Sequence, residues 1–122
     1  MRLTPETHGA RARLAETSAD NAIATLTIQN LPGESWVLDK VMVGYPAAVA
    51  GIKTFVISVV QFGTTQSISL PIPELAAGLS GRMLSLDFPD NCLWSDKDTD
   101  IVITLTASGT GGLFGHIHAI YH

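Results

Sequence analysis

The segment Asp100–Ala107, DIVITLTA, alternates apolar and small polar residues with a period of two. Successive side chains of a β-strand point to opposite faces, so this alternation places Ile101, Ile103 and Leu105 on one face. Valine and threonine occupy the positions between them. The segment therefore predicts a strand with one face buried in a core.

The same period recurs along the chain from residue 22 onwards. Groups of Gly, Pro, Asn and Asp separate the alternating segments, as turns separate strands. These segments are Ala22–Gln29, Trp36–Tyr45, Lys53–Val60, Ser67–Ile72, Arg82–Phe88, Asp100–Ala107 and Leu113–Tyr121. Many short strands without a long helix are typical of an all-β, antiparallel β-sandwich. We expect a jelly roll, with an immunoglobulin-like topology as the alternative.

Three segments carry further local detail. In Trp36–Tyr45 the apolar positions change parity across Asp39-Lys40, which predicts a β-bulge or a sharp bend. Lys53–Val60 is rich in β-branched and aromatic residues, which predicts a central strand covered on both faces. Pro71 and Pro73 cannot donate to a strand ladder, so their strand is expected at a sheet edge.

Residues 1–21 show no sustained period and predict an extended N-terminal arm, which leaves residues 22–122 as the sandwich domain. Ordering a backbone costs about 1–2 kcal/mol per residue, and these residues offer little apolar surface to offset that cost. We therefore expect the arm to be ordered only against a neighbouring chain. The start of the chain also lacks the apolar core of a signal peptide.

The overall composition favours contact with other protein surfaces. Charged residues make up 15% of the chain, the net charge is −4, and the mean hydropathy is +0.29. A low charge content is typical of interface cores, which predicts an oligomer or a component of a larger assembly. No basic patch is available to neutralise phosphates, and no apolar stretch is long enough to span a bilayer. We therefore expect neither nucleic acid nor a membrane as a partner.

An acidic loop is a candidate cation site. Asp96, Asp98 and Asp100 have the D-x-D-x-D spacing that can present carboxylates to a hard cation. Ile101 and Ala107 stand where an EF-hand requires glycine and glutamate, so an EF-hand is excluded. The remaining interpretations are a looser calcium site and a solvated loop that caps the following strand.

Two histidines on one strand are a second candidate. His116 and His118 lie two residues apart, so both rings project from the same face. They could bind a metal with His122 or with a histidine of another copy. A small enzyme of cupin-like build would need them to share a metal with a carboxylate. The alternative is a pair of half-buried rings on a sheet face or at a subunit contact. Cys92 lacks a basic neighbour and is interpreted as a packed thiol.

Aromatic residues leave a sugar-binding role open. Trp94 and Tyr45 could stack sugars if they were exposed together on one concave face, whereas Trp36 is expected in the core. A lectin-like β-sandwich is therefore the alternative function. Nothing in the spacing of the carboxylates, histidines or cysteine supports catalysis, so we expect no enzyme activity and no cofactor.

A family resemblance favours a different role. The segment Trp36–Val41, the small-residue loop that ends at Gly51, and the stretch from Asp100 to Gly112 resemble small jelly-roll capsid decoration, or cement, proteins of tailed bacteriophages. The resemblance implies trimers that lie on a capsid lattice and clamp neighbouring major capsid subunits. It contains no catalytic signature, so it assigns no functional residues.

Together these observations predict a structural virion protein, made in the host cytoplasm and placed on the capsid surface, with the major capsid protein as its partner. We expect a homotrimer, with Arg11, Arg13, His116 and His118 at its interfaces. Protonated imidazoles gathered near an axis repel each other, so the trimer is expected to loosen below about pH 6.5, where an ordinary histidine gains its proton.

Overall fold

A computed structural model describes residues 12–47, 49, 51–72 and 82–122. The regular secondary structure of the described part consists of β-strands and one short 3₁₀ turn at Pro89–Asn91. Its strands are β1 Ala12–Thr17, β2 Ala24–Ile28, β3 Leu38–Tyr45, β4 Lys53–Gln61, β5 Thr64–Ile72, β6 Arg82–Asp87, β7 Ile101–Leu105 and β8 His116–Tyr121. None of the helical segments in these residues has the length or apolarity needed to cross a bilayer.

The strands form two four-stranded antiparallel sheets, with the orders β1-β8-β3-β6 and β2-β7-β4-β5. β1 pairs with β8, β2 with β7, β3 with β6 and β4 with β5, so each pair encloses the next along the chain. A ribbon of nested antiparallel pairs rolled into two facing sheets is the jelly roll. The predicted antiparallel sandwich is confirmed, and the immunoglobulin-like alternative is excluded by the strand order.

The core lies between the two sheets and follows the predicted alternation. Ile101, Ile103 and Leu105 are fully buried, and they meet Val43 and Ile117 from the opposite sheet within one apolar cluster. Burying a side chain of this size stabilises the fold by about 1.5–3 kcal/mol. The period of two therefore fixes which side of every strand enters the core.

The predicted bulge in β3 is confirmed. The pairing of β3 with β8 shifts register between Leu38 and Lys40. Leu38 and Val41 are both buried although they lie three residues apart, because Asp39 is the extra residue at this shift. Without the bulge, one half of β3 would turn its apolar side chains toward solvent.

Two expectations about the β2-β7-β4-β5 sheet have different outcomes. β5, which contains Pro71, lies at the sheet edge as predicted, while Pro73 falls outside the described residues. β4 is central in its sheet, but the prediction that both of its faces are covered is wrong. Val56 and Val60 remain half-exposed because none of the described residues forms a second layer on that side.

The N-terminal arm differs from its prediction. Ala12–Thr17 form β1, an edge strand paired with β8 along its whole length. Leu14 packs against the core, which supplies the apolar contact that a free arm was expected to lack. Charged and small side chains at the other positions hid this strand in the sequence, and they are typical of protected sheet edges. Residues 1–11 lie outside the described part of the chain.

Candidate functional site

The outward face of the β1-β8-β3-β6 sheet, called here the histidine face, carries charged and titratable groups. Its rows follow from the register: Arg13 lies opposite Ile120, and His118 lies opposite both Ala15 and Met42. The described side chains of this face are Arg13, Ala15, Thr17, Lys40, Met42, Ser85, Asp87, His116, His118 and Ile120. Basic, acidic and imidazole groups therefore share one flat surface.

Two local contacts order this face. Nδ1 of His116 lies 3.1 Å from the Thr17 hydroxyl oxygen, a hydrogen bond between β8 and the edge strand β1. Lys40 and Asp87 form an exposed ion pair at 4.0 Å between β3 and β6. An exposed ion pair contributes little to stability, about 0–1 kcal/mol. The histidine face is thus a polar surface whose groups can reorganise on contact.

The predicted interface residues converge on this face where the structure describes them. Arg13, His116 and His118 project from the same side of two adjacent strands, and Arg11 lies outside the described residues. β8 lies between β1 and β3, so its backbone groups are engaged on both sides. A contact at this strand would therefore be made by side chains rather than by strand addition.

The outward face of the β2-β7-β4-β5 sheet, called here the hydroxyl face, has a different chemistry. Its side chains are Thr25, Thr27, Thr54, Val56, Ser58, Val60, Thr65, Ser67, Ser69, Pro71, Val102 and Thr104. None of these outward positions on the four described strands is charged. A shallow open depression of about 400 Å³ lies at its centre, among Val56, Val60 and Val102. Asp100, which immediately precedes β7, is a charged residue that also lines this depression.

The acidic loop stabilises turns. Both carboxylate oxygens of Asp96 accept hydrogen bonds from the backbone N–H groups of Phe62 and Gly63, at 3.1 and 2.7 Å. Asp98 accepts from the N–H of Gly33 at 2.7 Å, and Asp100 accepts from that of Asn30 at 2.7 Å. The three carboxylates accept from separate sets of backbone amides and do not converge on one point, which supports the capping interpretation over a shared calcium site.

The described residues contain no group of three or more His, Cys, Asp or Glu side chains placed to hold a metal ion. His116 and His118 share a face, as predicted, and the hydrogen-bond partner found for the His116 ring is the Thr17 hydroxyl. His122 is directed elsewhere: its Nδ1 lies 2.7 Å from an oxygen of Asp39. The third ligand suggested by the sequence is therefore committed to the bulge of β3.

The aromatic residues do not form the predicted sugar platform. Tyr45 is buried, and its hydroxyl donates to the carbonyl of Thr106 at 2.5 Å. Trp36 belongs to the core, as expected. Trp94 is half-buried and contacts Phe62 edge-to-face at a centroid distance of 5.2 Å. Because Tyr45 is buried, the lectin-like alternative loses one of the two residues on which it depended.

Sequence reasoning missed two exposed groups. Phe62 is 88% exposed and has a positive φ of 54° in the two-residue turn between β4 and β5, a conformation that is unusual for a bulky side chain. A Phe-Gly pair between two alternating segments was the available signal. Cys92 is exposed, so its interpretation as a packed thiol is wrong. It follows the 3₁₀ turn on the surface rather than entering the core.

Comparison with known proteins gives only distant likenesses. No protein-family profile matches the chain. No curated protein matches it either. Among solved structures, one similar chain is from the virus-like particle of the giant freshwater prawn Macrobrachium rosenbergii extra small virus. It has 16% identity and a TM-score of 0.33, covering 91% of this chain and 77% of that one.

Two further solved structures are also similar in part. The enzymatically active domain of tailspike protein 4 from bacteriophage CBA120 has 18% identity and a TM-score of 0.33, covering 81% of this chain and 13% of that one. A D431N mutant of VP2 from infectious bursal disease virus has 13% identity and a TM-score of 0.25, covering 92% and 38%. These overlaps are too loose to carry an argument about function, which rests instead on the surfaces described above.

Proposed function

We propose that this chain is a non-enzymatic structural virion protein that binds the outer surface of a phage capsid and strengthens contacts between major capsid subunits. The observation that supports this proposal is the hydroxyl face. A protein with a net charge of −4 keeps one whole sheet face free of charge on its described strands. Burying an uncharged face against another protein avoids the desolvation cost of ionised groups.

The size of the hydroxyl face fits a contact that is repeated many times. Four strands about 4.8 Å apart, with a rise of about 3.3 Å per residue, give roughly 300–500 Å² per copy. A stable isolated interface buries about 800 Å² on each partner, so a single contact through this face would be weak. Linked copies on a lattice gain affinity through effective concentration, without any new kind of contact.

The histidine face supplies a separate surface for self-association. Arg13, His116 and His118 project together from β1 and β8, and we propose that they meet their counterparts in a homotrimer. A trimer built on this face would leave the hydroxyl face of each copy free for the capsid. Bringing several imidazoles near one axis predicts that the trimer weakens in mild acid, because protonation adds like charges there.

Capsid binding is tested with shells assembled from the major capsid protein of the same phage. Co-sedimentation of the wild-type chain should be saturable, and Val56→Glu should reduce it at least tenfold by placing a charge on the hydroxyl face. Ser85→Glu, on edge strand β6 and away from Arg13, His116 and His118, is the matched control and should co-sediment like the wild type. Failure of the wild-type chain to co-sediment would overturn the proposed function.

The trimer is tested by analytical ultracentrifugation of the full chain. We expect a trimer at pH 8 and a smaller species at pH 5. A chain that stays monomeric at pH 8 at micromolar concentration would remove the trimer from the proposal. A trimer of equal strength at both pH values would remove only the role of His116 and His118.

A further inference from the structure

The free edge of β5 is unlike the other edge strands of the sandwich. β5 runs from Thr64 to Ile72, and its sequence TTQSISLPI contains no charged residue. β1 and β6, the edges of the other sheet, both contain charged residues. β2 is uncharged, but it is shorter than β5, and β1 packs alongside it more extensively than β6 packs alongside β5. Long uncharged edges can pair with another strand, and proteins usually protect them with charges.

The hairpin register shows which backbone groups of β5 point outward. Phe62 and Gly63 both have positive φ, so β4 and β5 are joined by a two-residue type I′ turn, and Gln61 pairs with Thr64 beside it. Alternate residues from Thr64 onward then bond to β4. Two residues of β4 support this alternation. The carbonyls of Thr54 and Val60 accept hydrogen bonds from the N–H groups of Thr106 and Asp96, so they point away from β5.

The intervening residues of β5 therefore direct their N–H and carbonyl groups to the open edge. These residues are Thr65, Ser67 and Ser69, followed by Pro71, which offers only a carbonyl. Within the described residues, no backbone partner is found for the amides of Thr65, Ser67 and Ser69. The edge thus presents three donors and three acceptors in a row, ended by a proline.

We propose that β5 pairs antiparallel with β5 of a second copy of this chain, with Ser67 on the two-fold axis. Thr65 then lies opposite Ser69 of the second copy, and Ser67 lies opposite Ser67 of the second copy. The pairs exchange six main-chain hydrogen bonds. Because β5 is uncharged, two identical strands meet without like-charge repulsion, which favours a second copy as the occupant of this edge.

Pro71 and the hairpin turn fix the register. In the two-fold arrangement Pro71 lies opposite Gly63 of the second copy, whose N–H already donates to Asp96. A shift by one pair places Pro71 opposite Thr65, where the proline has no N–H to offer the Thr65 carbonyl. The arrangement centred on Ser67 is therefore the register in which every outward group of Thr65, Ser67 and Ser69 is bonded.

This pairing goes beyond the proposed function and does not depend on it. It joins two four-stranded sheets into one continuous sheet of eight strands, with both hydroxyl faces on the same side. The strand edge alone buries little area, so we expect reversible dimers at high micromolar concentration rather than a permanent dimer. On a capsid, the paired copies would present one doubled uncharged surface.

Cysteine cross-linking tests the register directly. In a Cys92→Ser background, which removes the exposed native thiol, Ser67→Cys should form a disulfide-linked dimer under mild oxidation. Directly opposed residues of a hydrogen-bonded antiparallel pair have Cα atoms about 5.5 Å apart, within the range of a disulfide. Ser69→Cys is the register control, because two copies of residue 69 are too far apart to join. A mixture of Thr65→Cys and Ser69→Cys should cross-link only between the two variants.

Ser67→Pro tests the hydrogen bonds themselves. The N–H of Ser67 points to the open edge, so proline takes no main-chain bond from the β4–β5 ladder; it does remove the 3.0 Å hydrogen bond between the Ser67 and Ser58 hydroxyls. Sedimentation velocity of the wild type should show a concentration-dependent doubling in mass of the species present at low micromolar concentration, and Ser67→Pro should weaken this association at least tenfold. Circular dichroism and a thermal melt check that the variant is folded; if it is not, Thr65→Lys replaces it, placing like charges near the paired edges.

Four results would overturn the proposal. The first is self-association that survives Ser67→Pro, and the second is cross-linking of Ser69→Cys equal to that of Ser67→Cys. The third is a chain that neither self-associates at high concentration nor cross-links. The fourth is capture of another protein's strand in place of a second copy. Capsid co-sedimentation is measured separately, so loss of capsid binding with intact Ser67→Cys cross-linking would count against the proposed function alone.

Discussion

The two sheets of this jelly roll have similar inner faces and very different outer faces. On the inside, both sheets present branched and aromatic side chains that are almost fully buried. On the outside, the histidine face combines charged groups, imidazoles and a methionine, whereas the hydroxyl face has only threonine, serine, valine and proline. The inner faces are constrained by packing, and the outer faces are free to differ.

This difference indicates that the outward residues are determined by the contacts of each face rather than by the requirements of the fold. Threonine and valine suit any half-exposed strand, but their use at nearly every outward position of one sheet, beside a charged opposite sheet, exceeds what strand formation requires. A charged face favours solvent and opposite charges, while an uncharged face loses little on burial. The two faces are therefore suited to different neighbours.

The largest effect on stability is expected from comparing a substitution on the inner face of β4 with one on its outer face. Ile57 is fully buried on β4, and its neighbour Val56 is half-exposed on the hydroxyl face. Ile57→Ala should lower the free energy of unfolding by about 2–5 kcal/mol, because it leaves a cavity between the sheets. Val56→Ala should cost less than about 1 kcal/mol. Urea denaturation measures both, and equal losses would contradict the assigned inner and outer faces.

A smaller loss is expected where a glycine of one sheet packs closely against the other sheet. Gly115 precedes β8, and a Cβ atom there would lie 3.0 Å from Cδ2 of Leu105 and 3.3 Å from Cβ of Ala24. Gly115→Ala should therefore destabilise the fold by about 1–3 kcal/mol through overpacking. Gly111, where a Cβ would meet nothing within 4 Å, is the control, and Gly111→Ala should leave the thermal midpoint nearly unchanged.

The turn that ends the hydroxyl face depends on one carboxylate. Asp96 accepts from the N–H groups of both Phe62 and Gly63, so Asp96→Ala should cost about 1–2 kcal/mol. Asp98→Ala removes a single described amide bond, to Gly33, and should cost about half as much. Chemical denaturation of the two variants compares them. A larger loss for Asp98→Ala would show that the β4–β5 turn does not rely on its cap.

The smallest effect on stability is expected from a charge added to each outer face. Thr25 and Ser85 are both exposed on edge strands of opposite sheets. Thr25→Lys and Ser85→Lys should each change stability by less than about 0.5 kcal/mol. Only Thr25→Lys should weaken co-sedimentation with capsid shells. If both variants bind equally well, the two faces do not differ in function.

Much of the fold could be predicted because the period of two depends on short-range sterics. The parity change at Asp39-Lys40 located the bulge, and Pro71 located an edge strand, since each signal is contained within its own strand. β1 was not recognised because only Leu14 brings a large apolar side chain to the core from an otherwise polar strand. Its place depends on pairing with β8, about a hundred residues away, which local sequence does not encode.

The candidate site was less accessible to sequence reasoning for a similar reason. The spacing of Asp96, Asp98 and Asp100 is compatible with a cation, but their partners are backbone amides from distant turns. The sequence shows only that Tyr45 is an amphipathic residue, whereas the topology places its hydroxyl beside the carbonyl of Thr106. The common side of His116 and His118 was predictable, because two residues on one strand share a face regardless of topology.

The nested pairing of the strands also predicts the order in which they pair during folding. The β4–β5 hairpin closes across two residues, whereas each outer pair must enclose all the pairs within it. The entropy cost of closing a loop rises with its length, so we expect the hairpin to form first and β1 to dock on β8 last. β1 is then the strand whose loss disturbs the others least, and its amides should exchange with solvent before those of β4.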